Sequence, residues 1–167
     1  MKKDTYNGMP STLFKTENPF ITIKNIEAQE TYSVRQPVLR PGRPIKDCEF
    51  VNDTHPTTFH LGLYFKSDLV GVVTFMKTLN ETFVSENQYQ LRGMAILSEH
   101  QGLQYGNILI QVGESIVEKQ QDSLIWLNAR EIAVKFYERN GYKISGNAFN
   151  IPKVGTHYMM YKTISNL

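Results

Sequence analysis

Residues 20–26 alternate apolar and polar positions along a β-branched run, Phe20-Ile21-Thr22-Ile23-Lys24-Asn25-Ile26. That pattern predicts a first strand. Glu27 to Leu39 follows with good helix formers, and Pro37 is expected to end or distort that helix. Pro37, Pro41, Gly42, Pro44 and Pro56 punctuate a loop-rich stretch to about Thr58. Phe59–Phe65 and Leu69–Met76 read as two strands joined by a tight turn at Lys66-Ser67-Asp68. Lys77 to Glu86 is polar and reads as a loop, and Gln88 to Leu97 as the next strand. In Tyr105 to Gln120, Ile108, Leu109, Val112 and Ile116 recur at helical spacing and form one apolar face. Leu124-Ile125-Trp126-Leu127 is a short continuous apolar run, as expected of a strand buried on both faces. Ala129 to Asn140 is predicted helical, with Gly141 suited to the left-handed residue beyond its end. Tyr142–Phe149 and His157–Ile164 read as a final antiparallel pair. The predicted order, β-α-β-β-β-α-β-α-β-β, is that of an α/β protein with a single mixed sheet.

Composition narrows the class. The 167 residues are 41% hydrophobic and 20% charged, which predicts one globular domain of ordinary size. Residues 1–18 are polar with little pattern and are expected to form an arm preceding a domain over residues 19–167. A net charge of +2 with dispersed Lys and Arg argues against a nucleic-acid partner. Cys48 is the single cysteine, which leaves no intrachain disulfide and fits a reducing, cytoplasmic setting. There is no apolar run of about 18 residues, so no membrane partner is expected. No His/Cys/Asp/Glu grouping has metal-ligand spacing, so no metal is expected.

The chemistry-bearing segments are two. Gln101-Gly102-Leu103-Gln104-Tyr105-Gly106-Asn107 lies between a strand and a helix. The first turn of a helix offers unpaired N–H groups and the positive end of its dipole, so it can hold phosphates without a basic side chain. Gly102 and Gly106 allow close backbone approach, although a plain turn has the same composition. The second segment runs from Asn128 to Tyr142 and carries Phe136-Tyr137 before Gly141.

These segments resemble the cofactor motifs of the GNAT N-acetyltransferase superfamily. Gln101 and Gly106 match the first and last positions of its Gln/Arg-x-x-Gly-x-Gly/Ala signature, while Gln104 stands where the family has glycine. Ala133, Phe136, Tyr137, Gly141 and Tyr142 match its A-x-x-F-Y-x-x-x-G-[FY] pattern. The resemblance implies a mixed, mostly antiparallel sheet with splayed central strands flanked by helices. It implies acetyl-CoA as co-substrate and a small-molecule or peptide amine as acceptor, and leaves a homodimer open. Met94, Ala95 and Ile96 would pair with the pantetheine arm, and Gln101 through Asn107 would hold the pyrophosphate. Asn128 would hydrogen-bond the arm or cap the next helix. Tyr137 would protonate the leaving thiolate or be a core aromatic. A non-catalytic acyl-CoA-binding module is the other reading.

On the acceptor side Glu49, Asp53, His55 and His60 are candidates to bind the amine or take its proton. Arg35, Arg40 and Arg43 would either attract an anionic acceptor or sit in a solvated loop. The run from Arg35 through Cys48-Glu49-Phe50 and Asp53 to His60-Leu61 resembles the ElaA-like branch of the superfamily. His157, in an His-Tyr-x-Met ending, would line the acceptor pocket or be strand structure. His100 is read as exposed loop, and Arg130 as lying at the surface or near the cofactor.

Overall fold

The computed structural model of the chain describes residues 14–164. Its strands are β1 (Phe14–Lys15), β2 (Ile21–Ile26), β3 (Phe59–Phe65), β4 (Asp68–Lys77), β5 (Asn87–Ile96), β6 (Ser123–Arg130), β7 (Lys143–Ile144), β8 (Phe149–Ile151) and β9 (Gly155–Ile164). Its α-helices are α1 (Tyr32–Leu39), α2 (Tyr105–Val117) and α3 (Val134–Arg139). Hydrogen bonding links the strands in the order β1-β2-β3-β4-β5-β6-β9-β7, with β8 on β9. The pairings are antiparallel from β1 to β4 and around β9. The β5–β6 ladder is parallel and pairs Asn87–Gln90 with Ser123–Trp126. The fold is a mixed, mostly antiparallel open sheet with helices, as expected.

Packing divides the chain into two compact units, with β5 contributing to both. One holds the described residues up to Met76 together with Gly93–Gly113. The other holds Lys77–Arg92 and the described residues from Glu114.

In the first unit, Phe65 pairs with Asp68, which leaves Lys66-Ser67 as the β3–β4 turn, and Lys66 takes φ +57. Ile26 of β2, Val34 of α1, Val72 of β4 and Ala95 of β5 form one buried cluster. Pro37 lies inside α1 and withholds a backbone N–H, and the helix ends at Leu39. Gly113 of α2 lies against Phe75, whose ring would be 2.1 Å from any added Cβ. Only glycine lets this helix turn sit on that ring. Phe14-Lys15, expected within a polar arm, instead pair with Ile23 and Thr22 of β2. Residues 1–13 of that arm lie outside the described residues.

In the second unit, the apolar run at Leu124–Leu127 is buried as read, within a strand that extends to Arg130. The helix expected from Ala129 therefore starts later. Asn128, Ala129 and Arg130 pair with Met159, Tyr158 and His157 of β9. This ladder overrides the helical propensity of Ala129 and Arg130. The stretch read as one strand from Tyr142 is two short ones, β7 and β8, both paired with β9. The Gln88 amide is buried and fastens the 78–86 loop. It accepts from the Asn80 N–H and donates towards the carbonyls of Asn80, Phe83 and Ser85.

Candidate active site

The turn ahead of α2 is built from the end of β5. A short 3-10 turn at Ser98–His100 leads to Gly102 at φ +75 and Gln104 at φ +66, and α2 then begins at Tyr105. Ile108 N–H donates to the Gln104 carbonyl at 3.2 Å as the first bond of the helix. The N–H groups of Tyr105 and Gly106 precede that bond and have no carbonyl one turn back to donate to. Gln101 ties the turn to the strand, its Nε2 donating to the Ile96 carbonyl at 2.9 Å. Asn107 Nδ2 donates to Gln104 Oε1 across the first helical turn. Gln101, Gly102, Leu103 and Gln104 are exposed, while Tyr105 is buried. His100, read as exposed loop, is half-buried between the Phe65 ring at 5.7 Å and the Tyr105 ring at 6.1 Å.

Gln104 explains its own departure from the motif. The position demands a left-handed backbone, which glycine adopts freely and glutamine at a cost of about 1 kcal/mol. Glutamine takes the conformation anyway, so the turn keeps its shape. Gly106 lies within the first turn of α2 and is half-buried. On β5, Ala95 points into the core cluster, and Met94 and Ile96 are half-buried. Gly93, at φ +60, interrupts the regular strand immediately before them.

The second half of the motif lies in the other unit. Asn128 is exposed near the end of β6. It caps no helix: Arg130 is the N-cap of the 3-10 turn at Glu131–Ala133, and Ala133 is the N-cap of α3. Tyr137 is the buried residue of α3. Its ring meets Phe136 and Tyr142 edge-on, at 5.0 and 5.8 Å. Burial alone raises its pKa above that of an ordinary phenol. The backbone around it is closed by Tyr142 N–H and Asn140 N–H, both donating to the Tyr137 carbonyl at 3.0 Å, and by Gly141 at φ +88. Lys162 Nζ donates to the Asn140 carbonyl at 3.0 Å and to both oxygens of Glu114 at 2.8–2.9 Å. Tyr142 is likewise buried, and its pKa is raised by burial first and by the Glu114 charge second.

The acceptor-side candidates divide sharply. Asp53 and His60 are buried at 3% and 4% exposure and belong to one network with Arg35 and Thr74. Arg35 Nη1 donates to Asp53 Oδ2 at 2.6 Å and to the Cys48 carbonyl at 2.8 Å. Its Nη2 donates to Asp53 Oδ1 at 3.1 Å and to Thr74 Oγ1 at 2.7 Å. Phe50 N–H donates to Asp53 Oδ2 at 2.9 Å. His60 Nε2 lies 2.8 Å from the Asp53 carbonyl, which can only accept, so that nitrogen carries the proton. Nδ1 then accepts from the Thr74 hydroxyl at 2.7 Å. Burial, first among the causes, lowers the His60 pKa, which agrees with a neutral ring. Both ring nitrogens of His60 and both oxygens of Asp53 are engaged within this network. The reading of Arg35 as a solvated loop residue is corrected: its side chain is fully buried on α1. His55 and Glu49 are exposed. His157 is buried on β9, its Nδ1 2.8 Å from the Gly155 carbonyl and its ring 5.9 Å from Phe149. Sequence reasoning missed Thr74 entirely and gave Arg35 no buried partner; neither sits in a motif.

Among the described residues no group of His, Cys, Asp and Glu is gathered as a metal site would need. No described helix is long and apolar enough to cross a membrane.

The comparison that decides the family is the match to the family model described as Acetyltransferase (GNAT) family, over residues 21–142. The chain belongs to the GNAT acetyltransferase family. It is therefore an acyltransferase. A curated relative from Bacillus subtilis (strain 168), described as uncharacterized N-acetyltransferase YitI, is 31% identical over 144 residues, covering 86% of this chain and 97% of the relative. The structure of an aminoglycoside 6'-N-acetyltransferase complexed with coenzyme A shares the fold, with a TM-score of 0.68 at 17% identity, over 93% of this chain and 97% of that one. Escherichia coli ElaA shares it at a TM-score of 0.63 and 13% identity, over 85% of this chain and 99% of that one. At such identity the ElaA likeness speaks for the fold and not for a branch.

Proposed function

We propose that this GNAT family member transfers the acetyl group of acetyl-CoA to a primary amine on a small molecule or peptide, by direct attack, with Tyr137 as the general acid. The carrying observation is Tyr137: a phenol buried by its own motif, protonated at every working pH because burial raises its pKa. A phenol that keeps its proton at working pH has it available to give to the sulfur as the C–S bond breaks.

The steps balance as follows. The ammonium of the acceptor loses one proton to water. Its nitrogen attacks the thioester carbon, the C–S bond breaks, and Tyr137 gives its proton to sulfur. The new amide nitrogen sheds its second proton, and Tyr137 is reprotonated from solvent. One proton is released overall. Within this reading the turn from Gln101 to Asn107 holds the pyrophosphate through the start of α2, supported by the N–H groups of Tyr105 and Gly106. Met94, Ala95, Ile96 and Asn128 are assigned to the pantetheine arm. Asn128 is exposed and caps nothing, which favours that role for it.

The test is acetyl-CoA turnover against a panel of amines with detection of the free thiol. Thiol release that depends on the amine supports the reading. Binding of acetyl-CoA by calorimetry without thiol release on any amine overturns it.

A further inference from the structure

The buried network serves a residue it does not contain. Arg35 Nη1 holds the Cys48 carbonyl at 2.8 Å, and Asp53 Oδ2 holds the Phe50 N–H at 2.9 Å. These are the two peptide groups that flank Glu49. Glu49 N–H also donates to the Lys46 carbonyl at 3.2 Å, and the backbone at Glu49 is extended at φ −76, ψ 128. Its side chain is exposed, and among the described residues its carboxylate has no hydrogen-bond or ion-pair partner. A costly buried ion pair thus fixes the backbone of Glu49 from both sides.

The next residue ties this segment to β5. The Phe50 ring lies under the Arg35 guanidinium, 4.1 Å from its centroid, and would be 2.9 Å from a Cβ at Gly93. Gly93 immediately precedes Met94, the start of the strand segment assigned above to the pantetheine arm. Of the arginines in the same stretch, Arg35 is taken by Asp53 and Arg43 by Asp47.

We propose that Glu49 is the acceptor-binding carboxylate, pairing with the ammonium of a cationic amine, and that the Arg35–Asp53 pair positions it. This rests on the acetyl-transfer reading. Asp53 then acts through Glu49 and not by touching the acceptor, and the enzyme selects acceptors that carry positive charge.

The experiment is steady-state kinetics on four proteins: wild type, Glu49→Gln, Asp53→Asn and the double variant. The panel is an alkyl diamine, a phenethylamine, an aminosugar and a short peptide with a free N-terminus. Glu49→Gln is expected to raise the acceptor KM roughly tenfold, the scale of a lost charged hydrogen bond, with the acetyl-CoA KM unchanged. In wild type the acceptor KM should climb with salt, and in Glu49→Gln it should not. Asp53→Asn should raise the same constant, and the double variant should add little to Glu49→Gln alone, because the two act through one contact. An unchanged acceptor KM in Glu49→Gln, with wild type active, overturns the inference and leaves acetyl transfer standing. Additive effects, or an Asp53→Asn that shifts the acetyl-CoA KM instead, overturn the positioning role. Wild type that releases no thiol with any amine overturns acetyl transfer and this inference together.

Discussion

Two buried polar sites in this molecule are built on opposite principles. Around Arg35 nearly every polar atom is paired: guanidinium to carboxylate, hydroxyl and carbonyl, and His60 to Thr74 and Asp53. Around Tyr137 the neighbours are aromatic rings, and its pKa is raised by burial without help from charge or hydrogen bond. A buried polar cluster whose atoms are nearly all paired with one another leaves little to offer a ligand. It can hold a backbone in place, and its worth is registered as stability. A phenol kept among rings retains its proton. The comparison teaches that burial alone does not distinguish the two sites; the state of their partners does.

Breaking the first site should cost most. Asp53→Ala leaves the Arg35 charge buried and unpaired, at an expected loss of about 3–5 kcal/mol in denaturant unfolding. The exposed pair Arg43–Asp47, at 2.8 Å but 50% and 33% exposed, sets the scale for comparison. Asp47→Ala should lose less than about 1 kcal/mol by the same measurement. Similar losses for the two would mean that the Arg35 cluster is not the anchor described.

Gly93 sharpens the same point at a smaller scale. Its φ of +60 disfavours any side chain, and an added Cβ would lie 2.9 Å from Phe50 and 3.0 Å from Arg35 Nε. Arg35 Nε is itself buried and has no hydrogen-bond partner among the described residues. Gly93→Ala should cost about 2 kcal/mol in thermal or urea unfolding, combining backbone strain with overpacking. A neutral result would show that the strand relaxes away from the cluster.

A weaker handle is pH. The folded His60 has a lowered pKa, so its unfolded form takes a proton first as pH falls below the ordinary histidine value of 6.5. Stability from this site is therefore full above that value and drains away as pH falls towards the folded pKa. His60→Asn, read against wild type across pH 4–8, should flatten that part of the stability profile.

How much of this was legible in the chain depends on distance along it. The order of strands and helices followed from period-2 and period-3.6 patterns, each contained in one segment. The family motif is also local: Ala133, Phe136, Tyr137, Gly141 and Tyr142 fall within a single helix and its turn. Gln104 read as a defect, and only its left-handed backbone shows why the family favours glycine there. The Arg35 cluster was not legible. Its partners lie 18 and 39 residues from Arg35, in a loop and a strand whose own patterns give no hint of pairing. Asp53 and His60 were singled out for the right kind of chemistry, yet their partners in the fold occupy both. The end of β6 was misjudged for a related reason, since its pairing with β9 is long-range and outweighs local propensity.

The central claim rests on Tyr137, and one substitution tests it beside its neighbour. Tyr137→Phe keeps the rings packed and removes the proton. Turnover should fall roughly 10²-fold, the scale of lost general-acid assistance, with acetyl-CoA affinity by calorimetry and unfolding temperature nearly unchanged. Tyr142→Phe is the control: among the described residues its buried hydroxyl makes no well-formed hydrogen bond and meets the Glu114 charge, which disfavours its anion, so its removal should leave both stability and turnover close to wild type. If Tyr137→Phe turns over acetyl-CoA like wild type, its phenol is only part of the core and the proposed acid is wrong.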